Sequence, residues 1–213
     1  MDFFTRATAF ISGFVIPTLL LKRRVHFPGK RGRETLAEHV VQMLYFAEFF
    51  VHYFSLSYDM NKIRIYILAH DMSEPATGHA KKTGYDICRF NATPELIRDK
   101  RELEAQALQL QKRQFPELAM LVTAAEEYEK QLDDESRFVK ALDALLPMLN
   151  VVMDNGRTFL TDEITLEMWR KDREWRVKLD EHVWRFYQDE VLPYILDHEK
   201  ELYPQPRQQE LAL

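Results

Sequence analysis

From Glu34 to about Phe54 the apolar residues Leu36, Val40, Met43, Leu44, Ala47, Phe50 and Val51 return at three- and four-residue steps. That period gathers them on one stripe of an α-helix, whereas the side chains of a half-buried strand alternate. A helix with one apolar stripe must bury it against other elements, so the stripe constrains the rest of the chain. The neighbouring segments also read as helices. Asp59 and Asn61 are candidate caps for residues 62–71, where Ile63, Ile65, Tyr66, Ile67, Leu68 and Ala69 are apolar nearly all round. A buried strand has the same composition, and the helical neighbours decide for a helix. Thr93-Pro94-Glu95 starts a helix to about residue 113, with an N-cap Thr followed by Pro. Phe115-Pro116-Glu117 opens another to about 130. Asp133 or Asp134 caps a third over 135–154, kinked at Pro147 and ended by Asn155-Gly156. An amphipathic region follows over 161–203, interrupted by Pro193.

Residues 2–20 read as one apolar, buried helix, bent near Gly13 and Pro17. Residues 22–32 contain His26-Phe27-Pro28-Gly29 and read as a loop, as does 78–92 through Lys81, Lys82 and Gly84. No segment alternates with hairpin turns between runs. The expected fold class is all-α, with residues 1–156 as the core and 157–213 as a helical extension packed on the same domain.

The 213 residues, 46% hydrophobic and 30% charged, suit one soluble domain. A net charge of -5, from 29 basic against 34 acidic residues, argues against general coating of nucleic acid. Lys22, Arg23, Arg24, Lys30, Arg31 and Arg33 cluster before His39 and suit a small anion as well as they suit a solvated loop. The single cysteine, Cys88, excludes an intrachain disulfide and fits a reducing compartment. The apolar run at 9–21 is shorter than the ~20 residues a bilayer needs, and its basic cluster follows it, the reverse of a secretory signal. The expectation is a cytoplasmic protein with neither membrane nor nucleic acid as partner.

The chemistry-bearing stretch is Leu68-Ala69-His70-Asp71-Met72-Ser73-Glu74. An adjacent His and Asp at the end of an apolar segment together suit a borderline divalent cation, which accepts imidazole nitrogen and carboxylate oxygen. Two ligands are too few. Asp143 lies among Leu142, Leu145, Leu146 and Leu149, and a carboxylate so surrounded must be paired, protonated or bound to a metal. His39 is a further candidate, although a lone histidine is more often a packing residue.

Ala37-Glu38-His39, then His70-Asp71-Met72-Ser73-Glu74-Pro75-Ala76-Thr77-Gly78, then Phe138-Val139-Lys140-Ala141-Leu142-Asp143 resemble the HD-domain metal-dependent phosphohydrolases. Within them the pattern is most similar to the bacterial 5'-deoxynucleotidase branch, over about residues 24–156; Glu126-Glu127-Tyr128-Glu129 resembles a segment between the two halves of that branch's site. The resemblance implies a single HD-domain helical bundle. It implies that His39, His70, Asp71 and Asp143 bind one divalent ion (Mn2+, Co2+, Mg2+, Zn2+ or Fe2+), that Glu74 orients or activates the attacking water, and that Arg24 grips the phosphate. The implied substrate is a small-molecule nucleotide, first of all a (deoxy)nucleoside 5'-monophosphate, and the expected assembly is a homodimer.

Two departures concern the substrate side. His79 stands where the branch keeps an Asp that contacts the sugar, and Val25 where it tends to place a Trp that helps exclude ribose. His79 and Lys81 are therefore expected on the substrate side of the pocket, and the reaction class carries over better than the substrate. An HD nucleoside-triphosphate triphosphohydrolase uses the same four ligands, with Lys81 and Lys82 available to a longer phosphate chain. A di-iron HD oxygenase needs two more histidines between Asp71 and Asp143, where only His79 lies. A non-catalytic binding protein is disfavoured by the complete ligand set together with Glu74. Tyr45, Phe46, Phe49, Phe50, Tyr53 and Phe54 read as core or interface packing, and Trp169, Trp175 and Trp184 as core caps or dimer contacts.

Overall fold

The chain opens with α1 (Phe3–Leu20), which starts where the Asp2 carboxylate accepts the Thr5 N–H and passes through a π-helical turn at Ile11–Val15, just ahead of Pro17. In the computed structural model, which describes residues 2–29, 32–85, 90 and 93–203, α1 has no buried residue. The expectation of a buried first helix is thus corrected. A helix apolar nearly all round that lies on a surface covers only one flank. On that flank Phe10 stacks on Phe14, both meet the edge of Phe115, and Arg6 pairs with Glu117 at 2.6 Å. Phe3, Phe4, Leu19 and Leu20 face outward. Among the described residues α1 is the one helix long and apolar enough to cross a membrane by length and composition.

The stretch expected as a loop after α1 is instead a small antiparallel sheet. Strand β1 (Lys22–His26) pairs with β2 (Arg33–Thr35), Lys22 opposite Thr35 and His26 opposite Arg33, with an irregularity between. Alternation along β1 turns Lys22 and Arg24 outward and Arg23 inward. Lys30, Arg31 and Cys88 lie outside the described residues.

Helix α2 (Leu36–Tyr53) begins in a capping box: the Glu38 N–H donates to Thr35 Oγ1 and the Thr35 N–H to the Glu38 carboxylate. Its stripe turns Leu36, His39, Met43, Ala47 and Phe50 inward. Val41, Tyr45, Phe49 and Tyr53 form an exposed line on the opposite side. Asp59 caps α3 (Met60–Ala69), which buries Ile63, Tyr66, Ile67 and Ala69. After a 3₁₀ turn at Glu74–Ala76, α4 (Gly78–Thr83), capped by Thr77, occupies the start of the second expected loop. Then come α5 (Pro94–Gln114), a 3₁₀ turn at Pro116–Leu118 and α6 (Ala119–Lys130).

Helix α7 (Asp134–Met153), capped by Asp133, runs through the middle and buries Phe138, Leu142, Leu145, Met148 and Val151 among others. It continues through Pro147, which lacks the N–H that would otherwise bond to the carbonyl of Asp143. Gly156, at φ +72, turns the chain back; a Cβ there would lie 2.4 Å from the Leu202 carbonyl oxygen. The remaining helices are α8 (Arg157–Asp162), α9 (Leu166–Trp169), α10 (Trp175–Val177), α11 (Glu181–Phe186), α12 (Leu192–Asp197) and α13 (Glu199–Leu202), with π-helical turns at Arg170–Glu174 and Tyr187–Val191. Trp169, Val183, Tyr187 and Ile195 join the same apolar core as Met43, Tyr66 and Leu142. Among the described residues the fold is all-α with one two-stranded sheet.

Candidate metal centre

Three helices bring the four candidate ligands together. The capping box fixes the start of α2 and so places His39 one turn inside it, fully buried. His70 and Asp71 follow the last residue of α3, and Asp143 projects from the middle of α7. One ligand atom from each of His39, His70, Asp71 and Asp143 lies within 4.8 Å of every other. His39 Nε2 is 3.2 Å from Asp143 Oδ1, and His70 Nε2 is 3.1 Å from Asp71 Oδ2.

The ring orientations suit an ion. His70 Nδ1 lies 2.7 Å from the Ile67 carbonyl oxygen, a contact that places the proton on Nδ1 and leaves the Nε2 lone pair facing the cluster. His70 Nε2 and both nitrogens of His39 are buried without a well-aligned hydrogen bond among the described residues, and their nearest polar neighbours are the carboxylates of Asp71, Asp143 and Glu34. Buried polar atoms are ordinarily satisfied, so the chemistry of these nitrogens fits an electrophile held among the four side chains. Two imidazoles and two carboxylates form a donor set that several divalent ions accept.

Arg23 enters the cluster from β1. Its guanidinium lies 2.7 Å from Asp71, 3.5 Å from Asp143 and 3.4 Å from Glu34. Glu34, fully buried, stands 3.7 Å from His39 Nδ1 and accepts from the Asn150 amide at 3.3 Å; that amide is held in turn by Gln42. Three carboxylates against one guanidinium leave two negative charges, which one divalent cation balances. Burial alone would push the Asp143 carboxyl up. The His39 ring, the Arg23 guanidinium and His70 outweigh it and hold Asp143 well below the usual range. Asp71 is depressed likewise, burial being overcome by His70 and Arg23. Asp71 and Asp143 also raise His70 against the opposing effect of burial. Tyr128, whose ring centroid is 5.9 Å from that of His70, is pushed well up by burial and by the same two carboxylates, and stays neutral.

Glu74 sits one turn past Asp71, buried, with its N–H donating to the Asp71 carbonyl and its carboxylate 2.9 Å from Lys100 Nζ. Arg23, His70, Asp71, Glu74 and Asp143 all line one cleft of about 330 Å³. Lys100, Arg101, Lys140, Trp175 and Arg176 complete much of its wall.

The expected substrate residues fall elsewhere. Arg24 is exposed, its guanidinium 4.9 Å over the Tyr85 ring, and Arg23 occupies the inward position. Lys81 is exposed on α4 and His79 half-buried beside it, and neither lines the cleft. Arg23, Glu34 and Lys100 were not singled out as site residues from sequence. Strand alternation is the signal that separates Arg23 from Arg24, and it needs β1 to be recognised first.

Glu34 carries a direct prediction. A carboxylate behind a ligating imidazole fixes ring orientation and raises ligand basicity, so Glu34→Ala should weaken Mn2+ binding by about 10–100-fold. Calorimetric titration of Mn2+ into both proteins checks it, and equal affinities would remove Glu34 from the site.

The model of the HD domain family matches residues 21–184. A crystal structure from Magnetospirillum magnetotacticum MS-1, described as a predicted metal-dependent phosphohydrolase, has a similar fold: TM-score 0.74, 21% identity, covering 94% of this chain and 96% of that one. No protein of curated function matches. The family match takes in all four clustered ligands, the inward arginine and the helices that carry them, and on that basis the chain belongs to the HD domain family.

Proposed function

We propose that the chain is a metal-dependent phosphohydrolase that releases phosphate from (deoxy)nucleoside 5'-monophosphates. The observation that carries this reading is the convergence of His39, His70, Asp71 and Asp143 within 4.8 Å, the last three lining a cleft that also presents Glu74 and Arg23. A divalent ion held by the four supplies Lewis acidity, lowering the pKa of water and neutralising phosphate charge. Glu74 takes the proton from the attacking water; the water oxygen bonds to phosphorus, the ester bond to the nucleoside breaks, and the proton passes to the leaving oxygen. Arg23, in the role the family resemblance implied for Arg24, offers its guanidinium to the phosphate oxygens.

The cleft volume lies near the lower end of the about 300–1,000 Å³ typical of small-molecule sites, which favours a small substrate. Trp175, 52% exposed in the cleft wall, presents an aromatic face to a base. His79 and Lys81 then act at most through the edge of α4. In this reading the assembly is a homodimer; the exposed line Val41, Tyr45, Phe49 and Tyr53 on α2, beside an apolar hollow of about 640 Å³, supports it.

A second reading, release of inorganic triphosphate from nucleoside triphosphates, is favoured by Lys100, Arg101, Lys140 and Arg176 in the same cleft. A phosphate-release screen over nucleoside mono-, di- and triphosphates with Mn2+, Co2+ or Mg2+ separates the two. Orthophosphate from monophosphates is the expected result. Triphosphate as product supports the second reading, and no turnover with any metal contradicts both.

A further inference from the structure

Helix α5 carries charge on most of its faces, and a lysine on such a helix ordinarily keeps its ammonium in water. Lys100 does not. It is 6% exposed, with Nζ 2.9 Å from Glu74 Oε1 and 3.3 Å from Glu104 Oε1. About three turns further along α5, Gln111 is also buried and donates its amide to the Met72 carbonyl at 2.8 Å. One helix thus holds the turn after Asp71 at two points, Met72 and Glu74, and at both through a polar bond. Packing alone would be met by apolar side chains without the penalty of burying an ammonium. A charged pair sets the direction of a carboxylate as well as its distance.

We propose that Lys100 is a positioning residue for Glu74. It aims the carboxylate at the water in the cleft, while ion binding rests with other residues. This inference rests on the reading of Glu74 as the proton acceptor. A local departure from the rule that lysines point outward is the kind of inconsistency expected where function demands it.

The test uses full-length, Mn2+-loaded protein with deoxyadenosine 5'-monophosphate. Lys100→Met should lower kcat by about 10–100-fold. KM should change by less than about threefold and Mn2+ content should stay the same, since the four ligands are untouched. Lys100→Arg should recover part of kcat. In a Glu74→Gln background the same Lys100→Met change should reduce kcat by no more than about threefold, because coupled residues are not additive. An equal loss in both backgrounds, a loss confined to KM, or full activity of Lys100→Met overturns the proposal. Amide hydrogen exchange gives a reading without turnover: residues 72–77 should exchange faster in Lys100→Met while α2 and α7 keep their protection. Unchanged exchange at 72–77 overturns it too. An inactive wild-type protein with altered exchange in Lys100→Met would instead sink the phosphohydrolase reading and leave Lys100 as the residue that positions this turn.

Discussion

His70→Ala and Asp71→Ala proteins should each lose both the bound ion and phosphate release, down to the level of buffer. The two residues supply neighbouring donors, 3.1 Å apart, and among the described residues the cluster has four. Removing one leaves three, with Arg23 still 3.5 Å from Asp143 and free to neutralise it more fully. In the Asp71→Ala protein the negative charge of the cluster also falls from two to one, so it no longer matches a divalent ion. In His70→Ala the Nε2 donor is lost while the carboxylates stay, and these can keep pairing with Arg23. Metal content by mass spectrometry and phosphate release on the same samples check both. Retention of a full ion by both variants would dismantle the ligand assignment.

The second large effect is expected at Glu74, with the opposite pattern. Glu74→Gln should keep its ion, because Glu74 is not one of the four clustered ligands. Its carbonyl oxygen can still accept from Lys100, so the turn should keep its shape. What it loses is basicity, and the rate should drop by about 10²–10⁴, the range typical of general acid–base groups. Single-turnover kinetics on ion-saturated protein measure this separately from binding. A near-wild-type rate would remove Glu74 from the mechanism and leave the cleft with a metal site and no assigned base.

Much of the scaffold around these residues could be read from sequence, because the signals are local. Asp59, Thr93 and Asp133 cap the helices they were expected to cap, and the stripe on α2 and the apolar surroundings of Asp143 point inward as the periodicity requires. The His39, His70, Asp71 and Asp143 cluster was legible because motif order brought together residues that local pattern alone leaves apart. What escaped depends on contacts between distant segments. Strand β1 is a run of basic residues with weak strand propensity, and its pairing with β2 across residues 27–32 leaves no alternating apolar pattern. The family resemblance pointed to Arg24, whereas on β1 the inward position belongs to Arg23, since a one-residue displacement on a strand exchanges the inner face for the outer. Lys100 was hidden for a similar reason: on a highly charged helix nothing in the sequence distinguishes a lysine that turns inward. The burial expected of α1 failed because apolar composition says that a segment prefers to leave water, not which surface covers it.

Crystals grown with Mn2+ test the ion site most directly. Anomalous scattering measured at the manganese edge should show one peak per chain, at coordination distance from His39 Nε2, His70 Nε2 and the carboxylates of Asp71 and Asp143. No peak at saturating Mn2+, or a peak away from these four residues, would contradict it.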